Sequence, residues 1–282
     1  MTLTEVRRLL AEFDIRPSKA LGQNFLIDGN ILRILVEQAD LRGDETVLEI
    51  GPGFGVLTVE LVARAKHVVA IEKDRRLGEY LRGHVDGVEL IVGDAVKVLE
   101  QPDFRIASPY KVVANLPYSI STPILEQLVE RDDKPRAMVL TVQREVAHRL
   151  AATPRHKDYG ALTVFTQLWY HVTIAHIISR RCFYPSPHVD SAIIVLERRD
   201  PRVKLREGAP FHDIVRAGFG QRRKMLHKLL VEFGDVDGAF AAADVAATAR
   251  AEELAVEQWI TLANVLTEET GTPREGCAIG TS

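Results

Sequence analysis

The run Thr46-Val47-Leu48-Glu49-Ile50-Gly51-Pro52-Gly53-Phe54-Gly55 joins a short segment of strand character to a glycine-rich turn. Apart from Glu49, its first half is apolar or β-branched, as is typical of a strand that is buried on both faces. Apolar residues at helical spacing begin at Val56, so the glycines stand where a strand turns into a helix. This strand–turn–helix unit predicts the first βα element of a parallel sheet.

Further short runs of β-branched and apolar residues follow the first one, at residues 68–72, 88–92, 111–114 and 138–142. Segments with helical spacing separate them, as at residues 56–64 and 123–130. This alternation predicts an α/β fold with a doubly wound, Rossmann-like sheet, in which ligands bind at the carboxyl ends of the strands. Two later runs, residues 172–178 and 192–196, have no long helix between them, so they could pair antiparallel at the sheet edge.

The pattern becomes helical after residue 201, with apolar residues at helical spacing over residues 211–219, 224–233, 240–251 and 255–266. We therefore expect a catalytic domain over residues 1–200, including an N-terminal helical extension over about residues 1–40. A small C-terminal helical domain is expected over residues 201–266. Residues 267–282 are rich in Gly, Thr and Glu and are expected to form a disordered tail.

Composition excludes several classes of protein. The chain of 282 residues contains two cysteines, Cys182 and Cys277, which cannot form a disulfide framework or a four-thiolate zinc site. None of the nine histidines belongs to a His-Glu-x-x-His pattern, so no metal is expected. No apolar run is long enough to span a membrane, and the N-terminus lacks the apolar core of a signal peptide. The expectation is a monomeric, cytoplasmic protein.

The net charge of −3 conceals a strong local asymmetry. Residues 201–231 contain eight Lys or Arg against two Asp or Glu, a net charge of +6, whereas residues 232–282 have a net charge of −8. A basic segment beside an acidic one can direct a polyanion to one face of a protein. Solvated helical faces that pair with each other explain the same pattern equally well.

The glycine turn and two acidic residues predict a cofactor that contains a nucleoside. Gly51, Gly53 and Gly55 would let the backbone approach a ligand and would free N–H groups at the start of a helix. Glu72 ends the second predicted strand, where its carboxylate can accept hydrogen bonds from both hydroxyls of a ribose. Asp94 follows the third predicted strand and can accept a hydrogen bond from an adenine amine. Both NAD and S-adenosylmethionine contain these two groups.

Three details favour S-adenosylmethionine over a dinucleotide. Val56 stands where a dinucleotide fingerprint has its last glycine. Glu49 lies two residues before the first glycine, where its charge would repel a pyrophosphate but suit a sulfonium or an amino group. The third detail is the run Asn115-Leu116-Pro117-Tyr118, for which a hydride transferase has no evident use.

The Asn115-Leu116-Pro117-Tyr118 run directly follows the predicted strand at residues 111–114 and suits a site that methylates an amine. The amine of adenine is a poor nucleophile, and the Asn115 side-chain oxygen and the Leu116 carbonyl could both accept hydrogen bonds from it. Pro117 stiffens the turn, and Tyr118 offers a face on which a base can stack. Taken alone, the four residues are also compatible with an ordinary turn between a strand and a helix.

With these motifs together, the chain resembles the small-subunit (16S) rRNA adenine N6,N6-dimethyltransferase family, the kasugamycin-sensitivity methyltransferases. The resemblance runs from about Pro17 to Leu266. It rests on Glu72, Asp94 and residues 21–26, 49–55, 115–118, 143–147, 183–191 and 219–226. Macrolide-resistance methyltransferases of large-subunit rRNA share the core of this family but typically carry a different C-terminal part.

The resemblance implies S-adenosylmethionine as the cofactor. The cofactor-binding residues would be Gln23, Asn24, Leu26, Glu49, Gly51, Gly53, Glu72, Asp94, Ala95 and Asn115. For Gln23 a local cap, and for Leu26 a place in the core, are alternative interpretations. Phe183, which precedes Pro185 and Pro187, is interpreted as a second aromatic wall for the target base opposite Tyr118, with simple packing as the alternative.

The resemblance also implies the substrate, a pair of adjacent adenosines in the 3′-terminal hairpin of small-subunit rRNA inside an assembling ribosomal subunit. The candidate phosphate contacts are Arg144, Arg149, Arg222, Arg223, Lys224 and Lys228, for which solvated helix faces are the alternative. A ribosome-assembly factor that acts mainly by binding, and a methyltransferase of large-subunit rRNA, are the competing functions. A DNA or small-molecule methyltransferase would have no reason to carry the basic segment.

Overall fold

The computed structural model describes residues 1–18 and 21–266, so the tail expected at residues 267–282 lies outside the described residues. The chain divides into two compact units. Among the described residues, the first contains residues 1–151 and 169–199, and the second contains residues 152–168 and 200–266. The domain expected over residues 1–200 therefore differs from the first unit at residues 152–168. These residues group with the second unit, in which Phe165 packs against Phe211 with 6.3 Å between ring centroids.

A mixed sheet forms the centre of the first unit. Within the described residues its seven strands are β2 (Thr46–Ile50), β3 (His67–Glu72), β4 (Val88–Val92), β5 (Tyr110–Asn115), β6 (Ala137–Gln143), β7 (Tyr170–Ile178) and β9 (Ser191–Arg198). Their order is β4-β3-β2-β5-β6-β9-β7. Strands β2 to β6 are parallel, and β9 runs antiparallel to both β6 and β7. The predicted doubly wound sheet is confirmed, as is its antiparallel pair at one edge.

Helices of the first unit flank this sheet. They are α1 (Leu3–Glu12), α2 (Gly29–Gln38), α3 (Val56–Val62), α4 (Arg75–His84), α5 (Ala95–Glu100), α6 (Ser121–Glu130), α7 (Arg144–Leu150) and a 3-10 helix at Arg180–Cys182. Aspartate side chains determine where three of them begin, because Asp28, Asp74 and Asp94 accept hydrogen bonds from the first free N–H groups of α2, α4 and α5. A separate two-stranded pair joins β1 (Phe25–Leu26) to β8 (Phe183–Tyr184).

The order of the strands creates a crevice between β2 and β5. The chain leaves β2 toward β3 and β4 on one side, and then returns to β5 on the other side of β2. At such a switch point the loops after the two central strands diverge, and they leave a crevice at the carboxyl ends of the strands. The glycine turn that follows β2 and the Asn115–Tyr118 turn that follows β5 both lie there.

The second unit is helical. Its elements are α8 (Ala161–Trp169, except the last residue), α9 (Phe211–Gly220), α10 (Leu226–Leu230), α11 (Val236–Ala242), α12 (Val256–Leu266) and 3-10 helices at Val231–Phe233 and Ala251–Glu253. Trp259 is fully buried and lies so close to α9 that a side chain at Gly218 would approach its ring to 2.7 Å. The buried Tyr159 donates its hydroxyl proton to the Leu254 carbonyl at 2.9 Å.

Two predicted helices in this unit were partly wrong. The alanine-rich stretch at residues 240–251 does not form one helix, because α11 starts earlier, at a cap in which Asp235 accepts from the Gly238 N–H. It also ends earlier, because Asp244 adopts a positive φ of 50°. The stretch at residues 224–233 forms only the short α10 and the 3-10 helix that follows it. Alanine content favours helices in general but does not determine where these ones end.

Candidate functional site

A cavity opens at the carboxyl ends of β2, β3 and β5, at the switch point of the sheet. About 1120 Å³ of space that no atom fills lies within it, open solvent at its mouth included. The predicted residues that line it are Gln23, Asn24, Leu26, Glu49, Gly51, Gly53, Glu72, Ala95, Asn115, Leu116, Pro117 and Tyr118. The apolar residues Met1, Phe25, Leu32, Leu35, Phe54, Leu57 and Leu77 also line it and were not anticipated from the sequence.

The glycine turn brings backbone to the cavity wall where side chains would not fit. Gly51 has a φ of +69°, and a Cβ atom at this position would lie 3.2 Å from the Pro117 ring. Gly53 has a φ of +61°, and a Cβ atom there would lie 3.3 Å from the Phe25 ring. Both positions therefore need glycine, for conformation and for space. The turn after β2 and the turn after β5 are consequently in contact.

Glu49 places a carboxyl group on the cavity wall, and one oxygen of this group has no hydrogen-bond partner. It is 1% exposed, and Glu49 Oε2 accepts no hydrogen bond from any described residue. The pKa of this carboxyl group is raised to about 8, mainly by burial; the Thr58 hydroxyl opposes the shift, and the nearby Glu72 carboxylate adds to it. A buried carboxyl oxygen without a partner beside a cavity suits a ligand that brings N–H groups or positive charge.

Glu72 is buried and organises the backbone around the same cavity. Its oxygens accept hydrogen bonds from the N–H groups of Gly53 at 3.0 Å and Asp74 at 2.8 Å. Burial raises the pKa of Glu72, although these N–H groups act in the opposite direction. Each carboxylate oxygen has a second lone pair, so Glu72 can still accept from a ribose hydroxyl. The orphaned Glu49 oxygen, the glycine turn and Glu72 together fit the sulfonium, amino and ribose groups of S-adenosylmethionine.

Asp94 has local partners in this structure. Its carboxylate accepts a hydrogen bond from Lys73 Nζ at 2.7 Å and from the Val96 N–H at 3.1 Å. The Lys73 hydrogen bond is the main reason why the pKa of Asp94 is lowered. Its neighbours Gly93 and Ala95 line the cavity, whereas Asp94 is not among the lining residues. The expected contact with an adenine amine would therefore have to use a further lone pair of this carboxylate.

The loop before β1 closes one side of the cavity. Gln23 accepts from the Ser18 N–H at 2.8 Å and donates to Asp74 Oδ2 at 3.1 Å, so it has the local bracing role considered as an alternative. Asn24 donates to the Gly22 carbonyl at 3.0 Å. Leu26 is 8% exposed and pairs with Phe183 across β1 and β8, as a core residue would. All three predicted loop residues also line the cavity.

The Asn115 side chain has a fixed orientation at the end of β5. Its Nδ2 donates to the Asn24 carbonyl at 3.2 Å, which leaves Asn115 Oδ1 as an acceptor. Leu116 is 1% exposed, and its N–H donates to the Thr141 carbonyl at 3.2 Å, which anchors the turn to β6. The Pro117 carbonyl accepts from the Ile120 N–H at 3.1 Å and closes the turn.

Tyr118 lies between the cavity and β9. Its hydroxyl shares a short hydrogen bond with Ser191 Oγ, and burial raises the pKa of Tyr118 to about 12. Phe183 is nearby, with 6.5 Å between ring centroids and 74° between ring planes. However, Phe183 is 2% exposed and packs in the core with Leu26. The structure therefore brings the two rings together but does not open a slot between their faces.

The predicted phosphate contacts fall into two groups. Arg222 is engaged inside the second unit, because it donates to the carbonyls of Lys157 at 3.0 Å and Tyr159 at 3.1 Å and pairs with Glu252 at 2.9 Å. These contacts give Arg222 a structural role, and its phosphate contact stays a prediction. The other predicted contacts of this unit, Arg223, Lys224 and Lys228, are exposed and have no ion pair to any described residue.

In the first unit, the guanidinium group of Arg144 lies 3.6 Å from the carboxylate of Asp190, and Arg149 is half-buried.

Among the described residues, no three His, Cys, Asp or Glu side chains converge as metal ligands would. Every helix in the described part of the chain is too short or too polar to cross a bilayer.

Comparison with known proteins assigns a family to this fold and site. The family model described as ribosomal RNA adenine dimethylase matches residues 16–268. A protein of Moorella thermoacetica named ribosomal RNA small subunit methyltransferase A is 41% identical, over 92% of this chain and 95% of that protein. A protein of Clostridium acetobutylicum with the same name is 37% identical, over 90% of this chain and 95% of that protein.

Two solved structures are similar over most of the chain. A dimethyladenosine transferase from Plasmodium falciparum has a TM-score of 0.68 at 25% identity, covering 84% of this chain and 95% of that one. The 23S rRNA methyltransferase ErmE has a TM-score of 0.65 at 29% identity, covering 87% of this chain and 100% of that one. The extent of the family match and the identity to relatives of nearly equal length place this chain in the ribosomal RNA adenine dimethylase family.

Proposed function

We propose that this chain dimethylates N6 of two adjacent adenosines in the 3′-terminal hairpin of small-subunit rRNA, acting as a cytoplasmic monomer on an assembling ribosomal subunit. As a member of its family it is an rRNA adenine dimethyltransferase that uses S-adenosylmethionine. The choice of the small subunit is supported by the names of relatives that are 37% to 41% identical over at least 90% of the chain. The chain also keeps a helical second unit with exposed basic residues.

The observation that carries the proposal is the orientation of the Asn115 amide. Because Nδ2 donates to the Asn24 carbonyl, the oxygen is the free end of the amide at the cavity. That oxygen and the Leu116 carbonyl are acceptors for the two protons of an exocyclic amine. Hydrogen bonds to both amine protons orient the nitrogen lone pair toward the methyl group. The stabilisation that they provide is largest in the transition state.

The chain's own residues would hold the cofactor from three directions. Glu72 would accept from the ribose hydroxyls, Glu49 would face positive charge, and the Gly51–Gly53 backbone would allow close approach. When bound, S-adenosylmethionine would supply an electrophilic methyl group to N6 and would leave as S-adenosylhomocysteine, with one N6 proton passing to solvent. No histidine or cysteine of the described chain lines the cavity. None is needed before attack, because the nitrogen becomes acidic only as its new bond forms.

The target adenine would have to leave its stack to reach Asn115. Tyr118 lines the cavity and offers the nearest aromatic surface for the extruded base. Phe183 would serve as the second wall only after the edge-to-face pair with Tyr118 rearranges, because its ring is buried in the free chain. The Ser191 hydrogen bond would hold the Tyr118 hydroxyl in place during binding.

The proposal is tested by offering tritiated S-adenosylmethionine to the chain with small subunits, large subunits, naked rRNA and DNA in parallel. We expect label in small-subunit rRNA, released on digestion as N6,N6-dimethyladenosine and mapped to the 3′-terminal hairpin. Labelling of large subunits instead would overturn the choice of substrate. Labelling of DNA would overturn the substrate class.

A second candidate function is ribosome assembly by binding alone. It is favoured by the exposed Arg223, Lys224 and Lys228, which lie in the unit that does not contain the cavity. Asn115→Ala separates the two functions, because it removes the acceptor for the amine and leaves these cations in place. If the variant binds immature subunits and supports their maturation at the normal rate, assembly does not depend on methylation.

A further inference from the structure

Three strand ends converge beside the proposed target-base site. Ser191, the first residue of β9, pairs with Gln143 at the end of β6 and with Ile178 at the end of β7. The Ser191 hydroxyl shares a hydrogen bond with Tyr118, which follows β5. Residues next to these strand ends therefore lie at the edge of the sheet that also carries the Asn115–Tyr118 turn.

Asp190 fixes the two segments that leave β6 and β7 at this edge. Its carbonyl accepts from the Arg144 N–H at 3.0 Å, and its carboxylate accepts from the Arg180 N–H at 3.1 Å. The same carboxylate lies 3.6 Å from the Arg144 guanidinium. Asp190 thus offsets the charge of Arg144 while it holds the backbone of Arg180 in position.

The charges of Arg180 and Arg181 are not offset in this way. Both residues are exposed, and within the described residues neither guanidinium group has an ion pair or a hydrogen bond. Two large apolar side chains are exposed close to them in the chain, Ile177 at 43% and Val189 at 45%. Cations beside apolar surface suit a nucleotide strand better than a simple anion, because a strand offers phosphates together with sugars and base faces.

We propose that Arg180 and Arg181, here called the rim pair, bind backbone phosphates of the nucleotides that flank the target adenosine. Ile177 and Val189 would pack against the sugars or bases of those nucleotides. The proposal rests on the proposed function, because an adenosine held at Asn115 and Tyr118 places its neighbours at the same sheet edge. Guanidinium groups suit this role, since they form paired, charge-assisted hydrogen bonds with phosphate oxygens.

The test compares two double variants with equal loss of charge. Arg180→Ala with Arg181→Ala removes the rim pair. Arg82→Ala with Arg105→Ala is the matched control, because both arginines are exposed and lie at the opposite, amino-end edge of the sheet, at the end of α4 and in the loop before β5. Binding to small-subunit rRNA is measured over a series of salt concentrations, with S-adenosylmethionine affinity measured separately.

We expect the rim-pair variant to bind rRNA roughly tenfold or more weakly than wild type, with its salt slope reduced by about 1.4, that is about 0.7 for each single-strand phosphate contact. Cofactor affinity should be unchanged, and the control variant should behave like wild type. Replacement of the pair by lysine should restore most of the salt slope, because it returns the charge, whereas a purely structural role would not be rescued in this way.

The outcomes separate the rim pair from the proposed function. If wild type dimethylates small-subunit rRNA and the rim-pair variant keeps the salt slope of the control, the rim-pair assignment is overturned and the function stands. If the variant methylates a naked 3′-terminal rRNA fragment normally but fails on particles, the pair contacts a ribosomal protein, which also overturns the assignment. If wild type methylates no small-subunit rRNA, the proposed function fails and the assignment fails with it.

Discussion

Glu49 is a buried acid that holds its proton more tightly in the folded chain than in the unfolded chain. Its pKa is about 8 when folded, mainly because of burial, against an ordinary value of 4.5. Between these two pH values the folded state binds more protons than the unfolded state. Stability from this group is therefore fully present below about pH 4.5 and is lost as the pH rises to about 8.

Glu49→Gln should remove this dependence on pH. The free energy of unfolding of wild type should fall by up to about 1.4 kcal/mol per pH unit over that range from this residue alone, because one proton is released on unfolding. The difference in Tm between the variant and wild type should therefore grow in favour of the variant from pH 5 to pH 8. Thermal denaturation at pH 5, 6, 7 and 8 measures it. A difference that stays constant with pH would mean that Glu49 is ionised in the folded chain.

Asn115 is expected to act on catalysis rather than on cofactor binding. Asn115→Ala removes the amide oxygen that would accept from the target amine, while Glu49, Gly51 and Glu72 stay in place. Loss of one preorganised polar contact in a transition state typically lowers the rate by about a hundredfold to a thousandfold. Single-turnover kinetics on small subunits measure the rate, and calorimetry measures the cofactor affinity, which should fall only modestly.

Asn115→Asp tests polarity at the same position. Aspartate keeps an acceptor of similar shape, but it cannot donate to the Asn24 carbonyl and it adds a negative charge to the cavity. That charge should favour the bound cofactor and lower the rate of methyl transfer. A near-normal rate for Asn115→Ala, with both adenosines still dimethylated, would show that Asn115–Tyr118 is only a turn.

At the scale of elements, the turns after β2 and β5 are coupled through one close contact. Gly51→Ala should cost about 1–2 kcal/mol for the left-handed conformation, and its Cβ atom would also press on Pro117 from 3.2 Å. Because Pro117 belongs to the second turn, both cofactor affinity and methyl-transfer rate should fall. Chemical denaturation, calorimetry and single-turnover kinetics measure the three effects.

Gly83→Ala is the matched control for Gly51→Ala. Gly83 lies in α4, and no atom would come within 4 Å of a Cβ atom placed there. Alanine in a helix should raise stability by up to about 1 kcal/mol without changing catalysis. If Gly51→Ala leaves both cofactor affinity and rate unchanged, the contact between the two turns does not position the site.

The central strands could be predicted from sequence because their apolar runs are local and sharply bounded, as at Thr46–Ile50. The end of α11 could not, because it depends on the positive φ of Asp244 rather than on the alanines around it. The meeting of Gly51, Glu72 and Asn115 at one cavity could also be predicted, because each ends or directly follows a parallel strand. The Lys73 partner of Asp94 and the Ser191 partner of Tyr118 could not, because they come from segments 21 and 73 residues away.

At the scale of the whole chain, the net charge of −3 says little about binding to an rRNA, because positive and negative charges are unevenly distributed along the sequence. The basic stretch at residues 201–231 contains cations that make structural contacts and cations that have no ion pair to a described residue. Arg222 is structural, because it joins Glu252 and two backbone carbonyls inside the second unit. Arg223 and Lys224 follow it directly and have no ion pair among the described residues.

The two kinds of cation should separate by substitution. Arg222→Ala leaves the Tyr159 and Lys157 carbonyls without this donor, so it should lower the stability of the second unit by about 1–3 kcal/mol. The loss should lie toward the lower end of this range, because the Arg222 side chain is 44% exposed. Arg223→Ala with Lys224→Ala should change stability by no more than about 0.5 kcal/mol. The double variant should instead weaken rRNA binding and reduce its salt slope by about 1.4 to 1.8, for two lost phosphate contacts.

Thermal denaturation and rRNA binding over a salt series measure these effects on the same protein samples. Cofactor affinity should be unchanged in both variants, because every residue that lines the cavity belongs to the first unit. The assignment depends on the contrast between neighbours in sequence, since a nonspecific loss of positive charge would also reduce the salt slope of Arg222→Ala, by about half as much because this variant loses one charge and not two. Equal salt slopes for wild type and the double variant would show that Arg223 and Lys224 form a solvated face, and that the basic stretch does not bind rRNA through them.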